Sequence, residues 1–214
     1  MGARSFDIDG FVWPESPPKE IPFIDYRWEP PFAYRDSNFS AFLNAPWFTS
    51  INRLNGQWTA LPDRLGGHIG FVHGLRGHGH TFHDFVHPDE YFDTHPEYFA
   101  EIEGERIKWS QLCLTNPDVL AITIERAREL LQSAAPNERI LSVSQMDYPG
   151  FASWCTCAEC GAVDEAEGSH SGTIVRFVNA VAAALESDFP DALIETFAYM
   201  HSRKPPARTR PRDN

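Results

Sequence analysis

Three of the four cysteines fall within six positions, Cys155, Cys157 and Cys160 in "CTCAEC", and Cys113 stands alone upstream. A C-x-C-x-x-C run with a remote fourth thiolate offers the ligand number and softness that tetrahedral zinc requires. The same sulfurs can instead pair as disulfides or stay as free thiols, and spacing alone leaves all three states open. A catalytic cysteine has no support, because linear order gives no Cys-His pairing.

Just before this cluster, "SVSQMDYPG" ends an apolar run in Gln145, Asp147 and Tyr148. A carboxylate at a strand end, beside an amide and an aromatic ring, is what a sugar site needs. The acid or base moves a proton, the amide and hydroxyl groups satisfy ring hydroxyls, and the aromatic face stacks on the apolar sugar face. The simpler role for Asp147 is to cap the following turn. Arg35, at the end of "FAYR", can grip hydroxyls or a carboxylate with its guanidinium fork, or pair with neighbouring Asp36. His73, His78, His80, His83 and His87 crowd one glycine-rich segment, with His78 and His80 on one face of any strand there. A metal site would need further ligands held from behind, so we expect one or two of these histidines to line a polar pocket.

These residues need elements to position them. From about residue 110 the pattern alternates: a short strand "QLCLT", a helix "NPDVLAITIERARELLQ", a strand "RILSVSQ", a helix "SHSGTIVRFVNAVAAALESDFP" and a strand "ALIETFAY". The first helix opens with Asn116 as N-cap, Pro117 at the first helical position and Asp118 near the positive end of the dipole. Its spacing predicts a buried stripe of Leu120, Ile124, Ala127 and Leu131. The second predicts Ile174, Val178, Val181 and Leu185, with Pro190 beyond its end. Such alternation is that of a parallel sheet with helical crossovers, so the fold class is α/β. In these sheets chemistry collects at the carboxyl ends of strands, which selects Arg35 and Asp36, His80 and His83, Thr115 and Asn116, Gln145 to Tyr148, and Tyr199 with His201; of these, Arg35, His80, Asn116, Gln145, Asp147, Tyr148 and Tyr199 are the candidate site residues. Upstream, "SNFSAFLNAPWFTSINRLNG" reads as one or two helical turns broken at Pro46, and the proline-rich first 31 residues read as a connector or docking arm.

Composition narrows the function classes. Thirty acidic against 18 basic residues give a formal charge of -12, which argues against a polyanionic partner such as nucleic acid. No apolar run approaches the roughly 20 residues of a membrane helix, and "MGARSFDIDG" lacks the apolar stretch of a secretory signal.

Several stretches resemble a bacterial family labelled as a domain of unknown function and allied to glycoside hydrolase family 163, with more distant similarity to family 20 hexosaminidases and alpha-glucuronidases. They are "FAYRD", "NRLNG", "GHTFHDFVHPDEYFDTHPEYFAEIEGERI", "QLCLTNPDVL", "ILSVSQMDYPGFASWCTCAECGAVDEAEGSHSGTIVRFVNAVA" and "IETFAYMHSRKPP", in order over most of residues 32–206. The resemblance implies a TIM-type (β/α) barrel acting on N-acetylglucosamine-containing glycans, with no cofactor needed for catalysis and a secreted or periplasmic setting. It also implies a first-strand sugar-gripping role for Arg35, a second-strand pocket role for His80, and a fourth-strand acidic role for Asp147. Met146 departs from the asparagine expected beside that acid, and a methionine neither donates a proton nor orients an amide.

Only about five strands can be placed, near residues 32, 70–85, 110, 140 and 193, against eight in a complete barrel. The expected organisation is therefore an arm (1–31), a partial (β/α) barrel (32–204) and a tail (205–214) that is a truncated barrel connection. Three functions follow as expectations: a glycoside hydrolase active when the barrel is complete, a non-catalytic carbohydrate-binding or degenerate fragment, and a small zinc-binding interaction module.

Overall fold

The computed structural model describes residues 4, 5, 8–16, 19, 20, 23, 25, 27, 29–37, 39–56, 58, 61–76, 78–147 and 154–214. The chain divides into two compact units, Met1–Gly70 and Phe71–Asn214.

In the first unit, β1 (Arg4–Ser5) pairs antiparallel with β2 (Phe11–Val12), and two helical turns follow, α1 (Ser40–Leu43) and α2 (Pro46–Ile51). Pro46 lacks an amide proton and so cannot continue α1, but it sits comfortably at the first position of α2. Phe42 stacks on Phe48 at 4.9 Å, and Phe48 and Thr49 are the buried residues of α2. The stretch "PFAYRD" (31–36), predicted as a short strand, forms none. Arg35 is fixed there by loop contacts instead: its amide donates to Asn55 Oδ1, and its guanidinium donates to the carbonyls of Arg53 and Phe32.

The second unit is built around a three-stranded sheet. Its central strand, β6 (Glu138–Ser142), is flanked by β3 (Gly70–Phe71) and β7 (Leu193–Glu195). Between β3 and β6 come the helical turns α3 (Phe82–Phe85) and α4 (Pro88–Tyr91), the hairpin of β4 (Glu101–Ile102) and β5 (Glu105–Arg106), and the long helix α5 (Pro117–Ser133). Between β6 and β7 come α6 (Ala158–Glu167) and α7 (Ser171–Leu185). β6 and β7 run parallel, with Ile140 opposite Leu193, Leu141 opposite Ile194 and Ser142 opposite Glu195. The molecule is thus a mixed α/β protein with a parallel strand pair and helical crossovers.

Asn116 caps α5 as the sequence indicates, its side-chain oxygen accepting from the amides of Asp118 and Val119. The buried stripe of α5 is Val119, Thr123, Ala127 and Leu131; Leu120 and Ile124, expected fully inside, lie at its margin. Thr123 tolerates complete burial because its hydroxyl donates to the Val119 carbonyl, 2.7 Å away. On α7 the predicted face of Ile174, Val178, Val181 and Leu185 is buried, joined by Phe177 and Ala182. These helices close over Phe82, Phe85, Phe99, Leu112, Leu141 and Val143, each 0–1 % exposed, and each such side chain contributes about 1.5–3 kcal/mol of burial.

Two predicted strands differ. "QLCLT" makes only an isolated antiparallel bridge, Phe99 to Leu112, and does not join the sheet. "GHTFHDFV", expected to be extended, winds into α3, because the Thr81 and Phe82 amides both reach back to the Ser144 carbonyl and Thr81 becomes the helix entry.

The last residues dock on the helices. Glu167, wholly buried at the end of α6, accepts from the Thr209 hydroxyl (2.5 Å), the Arg208 and Thr209 amides and the Arg176 guanidinium. These donors, the Thr209 hydroxyl first, hold its carboxyl down at about 2. Gly172 is required beside it: a Cβ there would lie 2.4 Å from the Glu167 side chain.

Candidate functional site

Beyond Ser142 the chain leaves the sheet as Val143–Asp147, and two buried side chains hold this exit. Thr81 donates its hydroxyl to the Ser142 carbonyl and accepts the Ser144 amide, at 2.8 and 3.0 Å. Gln111 pairs with the Met146 peptide on both sides, its NH2 donating to the carbonyl at 2.7 Å and its oxygen accepting the amide at 2.8 Å. Met146 turns inward against the core, where its sulfur accepts from the His83 amide. Alternation along the extended chain therefore sends Asp147 outward, and it is exposed.

Around Asp147 the second unit assembles a polar and aromatic cluster. The Tyr199 hydroxyl donates to Asp147 Oδ1 at 3.3 Å. His80 donates from Nδ1 to the Gln145 carbonyl at 2.8 Å and meets the rings of Phe197 (5.1 Å) and Tyr199 (5.9 Å) edge to face. Its backbone has φ +60°, an unfavourable region for a residue with a Cβ and one that clusters at functional sites. Gly79 makes room, since a Cβ there would stand 2.3 Å from the Phe197 ring. At the end of β7, Glu195 accepts from the Ser142 hydroxyl at 2.7 Å; burial raises its carboxyl above the ordinary 4.5, against the lowering effects of that hydrogen bond and of His80.

Of the sequence-derived candidates, Asp147, His80 and Tyr199 come together. Gln145 is adjacent but has both ends of its amide engaged: NH2 donates to the Tyr199 carbonyl, and the oxygen accepts from the Ser202 hydroxyl. It positions the 199–202 turn. The Asn116 side-chain oxygen is committed to the α5 cap, and Arg35 belongs to the other unit. Tyr148 lies outside the described residues. Sequence reading missed Glu195, Phe197, Thr81 and Gln111; the one visible signal was the acid ending the otherwise apolar "ALIE".

The histidines separate. His73 pairs with Glu138 at 2.6 Å, and His87 caps α4 by accepting the Asp89 amide. His83 is buried, with Nε2 donating to the Ser110 carbonyl, and desolvation lowers it to about 4. Among the described residues they form no metal-type group.

Beside the strand end lies a small cavity of ≈ 20 Å³ whose lining includes Gln111, Gln145, Trp154, Asp164, His170 and His201. Among the described residues it does not include Asp147 or Tyr199. Trp154 stacks on His170 at 3.8 Å, and His170 is held by Asp164 at 2.7 Å. Burial lowers His201 to about 4.

Cys155 and Cys160 line the same cavity, and with Cys113 and Cys157 they form a buried set of four cysteines, none in a disulfide. Their sulfurs lie within 4.8 Å of one another, Cys113 being 3.7 Å from Cys157 and 3.9 Å from Cys160. Contacts with Cys155 and Cys160 hold Cys113 far below the ordinary thiol range, and the contact with Cys113 pushes Cys160 far up. The geometry is compatible with a bound metal.

Among the described residues no helix is long and apolar enough to cross a membrane. No curated protein and no solved structure matches the chain. The model of the family described as "Domain of unknown function (DUF4838)" matches residues 6–214, and the chain belongs to that family.

Proposed function

We propose that this protein acts on carbohydrate as a glycoside hydrolase-type enzyme, with N-acetylglucosamine-containing glycans as substrate class and the β6–β7 strand ends as its working face. The observation that supports this best is the gathering there of an exposed carboxylate, Asp147, a tyrosine hydroxyl bound to it, a histidine in a strained backbone conformation and a second carboxyl, Glu195, kept protonated to higher pH by burial. Glycosidic cleavage needs one group to protonate the leaving oxygen and another to stabilise or attack the anomeric centre. Asp147 takes the exposed role toward substrate. With Nδ1 committed to Gln145, His80 has Nε2 left to hydrogen-bond a sugar hydroxyl, and the Phe197 and Tyr199 rings supply apolar stacking surface. The parallel pairing of β6 and β7 with helical crossovers suits part of a TIM-type (β/α) barrel, whose chemistry lies at this end of its strands.

A binding-only protein is the second reading, favoured by Met146, whose sulfur is engaged in the core and adds no acid beside Asp147. Purified protein incubated with aryl N-acetylglucosaminides and N-glycans separates the two. The enzyme reading expects turnover that falls about 10²–10⁴-fold in Asp147→Asn. Glycan binding without turnover supports the second reading, and full activity in Asp147→Asn removes the assignment of Asp147.

A further inference from the structure

We propose that Cys113, Cys155, Cys157 and Cys160 bind one zinc ion as a tetrathiolate, and that this ion fixes the Trp154 wall of the cavity beside the strand end. The inference stands independently of the glycan reading.

Four sulfurs around zinc at about 2.3 Å define a tetrahedron with edges of about 3.8 Å. The Cys113 separations of 3.7 Å from Cys157 and 3.9 Å from Cys160 fall close to that edge length. The side chains that form the site come from two separate places in the chain: Cys113 just after the Phe99–Leu112 bridge, and Cys155, Cys157 and Cys160 where the chain enters α6. All four point into one satellite cluster, together with Ala100 and with Ile102 packed against it.

The surroundings suit a centre of net charge -2. The Glu101 amide donates to Cys155 Sγ at 3.3 Å, the Arg106 guanidinium stands 3.8 Å from the same sulfur, and the Thr115 hydroxyl is 3.1 Å from Cys160 Sγ. Arg106 is anchored for this by the Phe99 carbonyl and Glu101. Such donors to ligand sulfurs are the outer shell that orients metal thiolates. An all-sulfur tetrahedral set selects zinc or iron, and a closed four-cysteine site with no open position is the structural zinc arrangement. On binding, each cysteine that still carries a proton passes it to solvent as its sulfur–zinc bond forms.

The placement has a consequence. Trp154 adjoins Cys155, and its ring stacks on His170, which Asp164 holds from behind. A metal that immobilises Cys155 and Cys157 therefore sets where that ring stands.

The test is metal analysis of the full chain purified under reducing conditions from zinc-supplemented medium, with cobalt(II) reconstitution as a second readout. One zinc per chain is expected, released by a thiol-modifying mercurial. The cobalt form should show thiolate-to-metal charge-transfer and tetrahedral ligand-field bands, and Cys157→Ser/Cys160→Ser should lose both signals. Release should also change the fluorescence of Trp154, read as a difference between wild type and Trp154→Phe. Should the serine variants fail to fold, the mercurial release and cobalt spectrum of the wild type decide alone. Folded protein with four titratable thiols and no zinc overturns the proposal, as does stoichiometric iron or a pair of disulfides. Zinc whose release leaves the Trp154 signal unchanged overturns the wall-fixing half.

Discussion

The strand-end cluster and the cysteine cluster are fed by one stretch of chain, Gln145–Cys160, yet are built on opposite plans. The cysteines face one another in a closed space, each 1–6 % exposed, with their outer contacts directed at their own sulfurs. Asp147 and Tyr199 are exposed, and the constraints on them come from behind: Gln111 on the Met146 peptide, Thr81 on Ser142 and Ser144, and Gln145 on the 199–202 turn. A closed set of soft ligands suits a permanent resident. An open set of acids, hydroxyls and rings on a braced backbone suits a ligand that arrives and leaves.

The sharpest way to break this contrast is to disturb each cluster and compare stabilities. Cys157→Ser, or chelation of wild type, should cost on the order of 5 kcal/mol in denaturant unfolding, since metal binding free energy becomes folding free energy. Asp147→Asn should stay within about 0.5 kcal/mol of wild type, as an exposed residue away from any packing feature. Equal effects from the two would erase the distinction.

Next in size is a pH effect on the core beneath the strand end. Folding lowers His83 from 6.5 to about 4, so the unfolded chain binds its proton first. Stability is then complete above pH 6.5 and declines through the window from 6.5 to 4, by about 3 kcal/mol in all. His83→Gln keeps a donor for Ser110 without titrating, and its unfolding midpoint should decline less over that window. Acid release of a metal would be common to both proteins and leaves their difference intact.

Gln111→Ala should cost about 2 kcal/mol, by stripping both partners from the half-buried Met146 backbone. If the brace matters to Asp147, this variant also loses activity or glycan binding although Gln111 touches no ligand, and Gln111→Glu, which keeps one acceptor, recovers part of it. The smallest effect belongs to Glu195→Gln. Burial raises the native carboxyl above 4.5, so wild type loses stability as pH rises from 4.5 through the raised value. The glutamine variant should show a flatter slope there, measured by midpoints across a pH series; an unchanged slope would mean that Glu195 is solvated.

Local signals in the sequence were legible where a short segment decides its own conformation. Asn116-Pro117-Asp118 marks a helix start because capping, fixed φ and dipole all act within one turn, and α5 begins there. The apolar period of "SHSGTIVRFVNAVAAAL" identifies the buried face of α7, since that helix lies wholly against the core. "QLCLT" looks as much like a strand as "ERILS", but strand formation requires a partner: β6 finds β3 and β7 as neighbours, whereas Leu112 finds only Phe99. On α5 the apolar period identifies Ala127 and Leu131, but in the first turns the buried positions are Val119 and Thr123 in place of Leu120 and Ile124, because Thr123 can be buried once its hydroxyl satisfies a carbonyl of its own helix.

By itself, then, the sequence determined the α/β class, the start of α5, the buried face of α7 and the set of four sulfurs, all properties of residue type and short-range spacing. Only the tertiary structure decided that Cys113 meets the other three across 42 residues and more, that Gln145 serves as a brace while Glu195 joins the site, and that Asp147 faces outward because Gln111 holds the peptide beside it. Those outcomes depend on which segments the core packs side by side, and a long-range contact leaves no periodic trace in either segment alone.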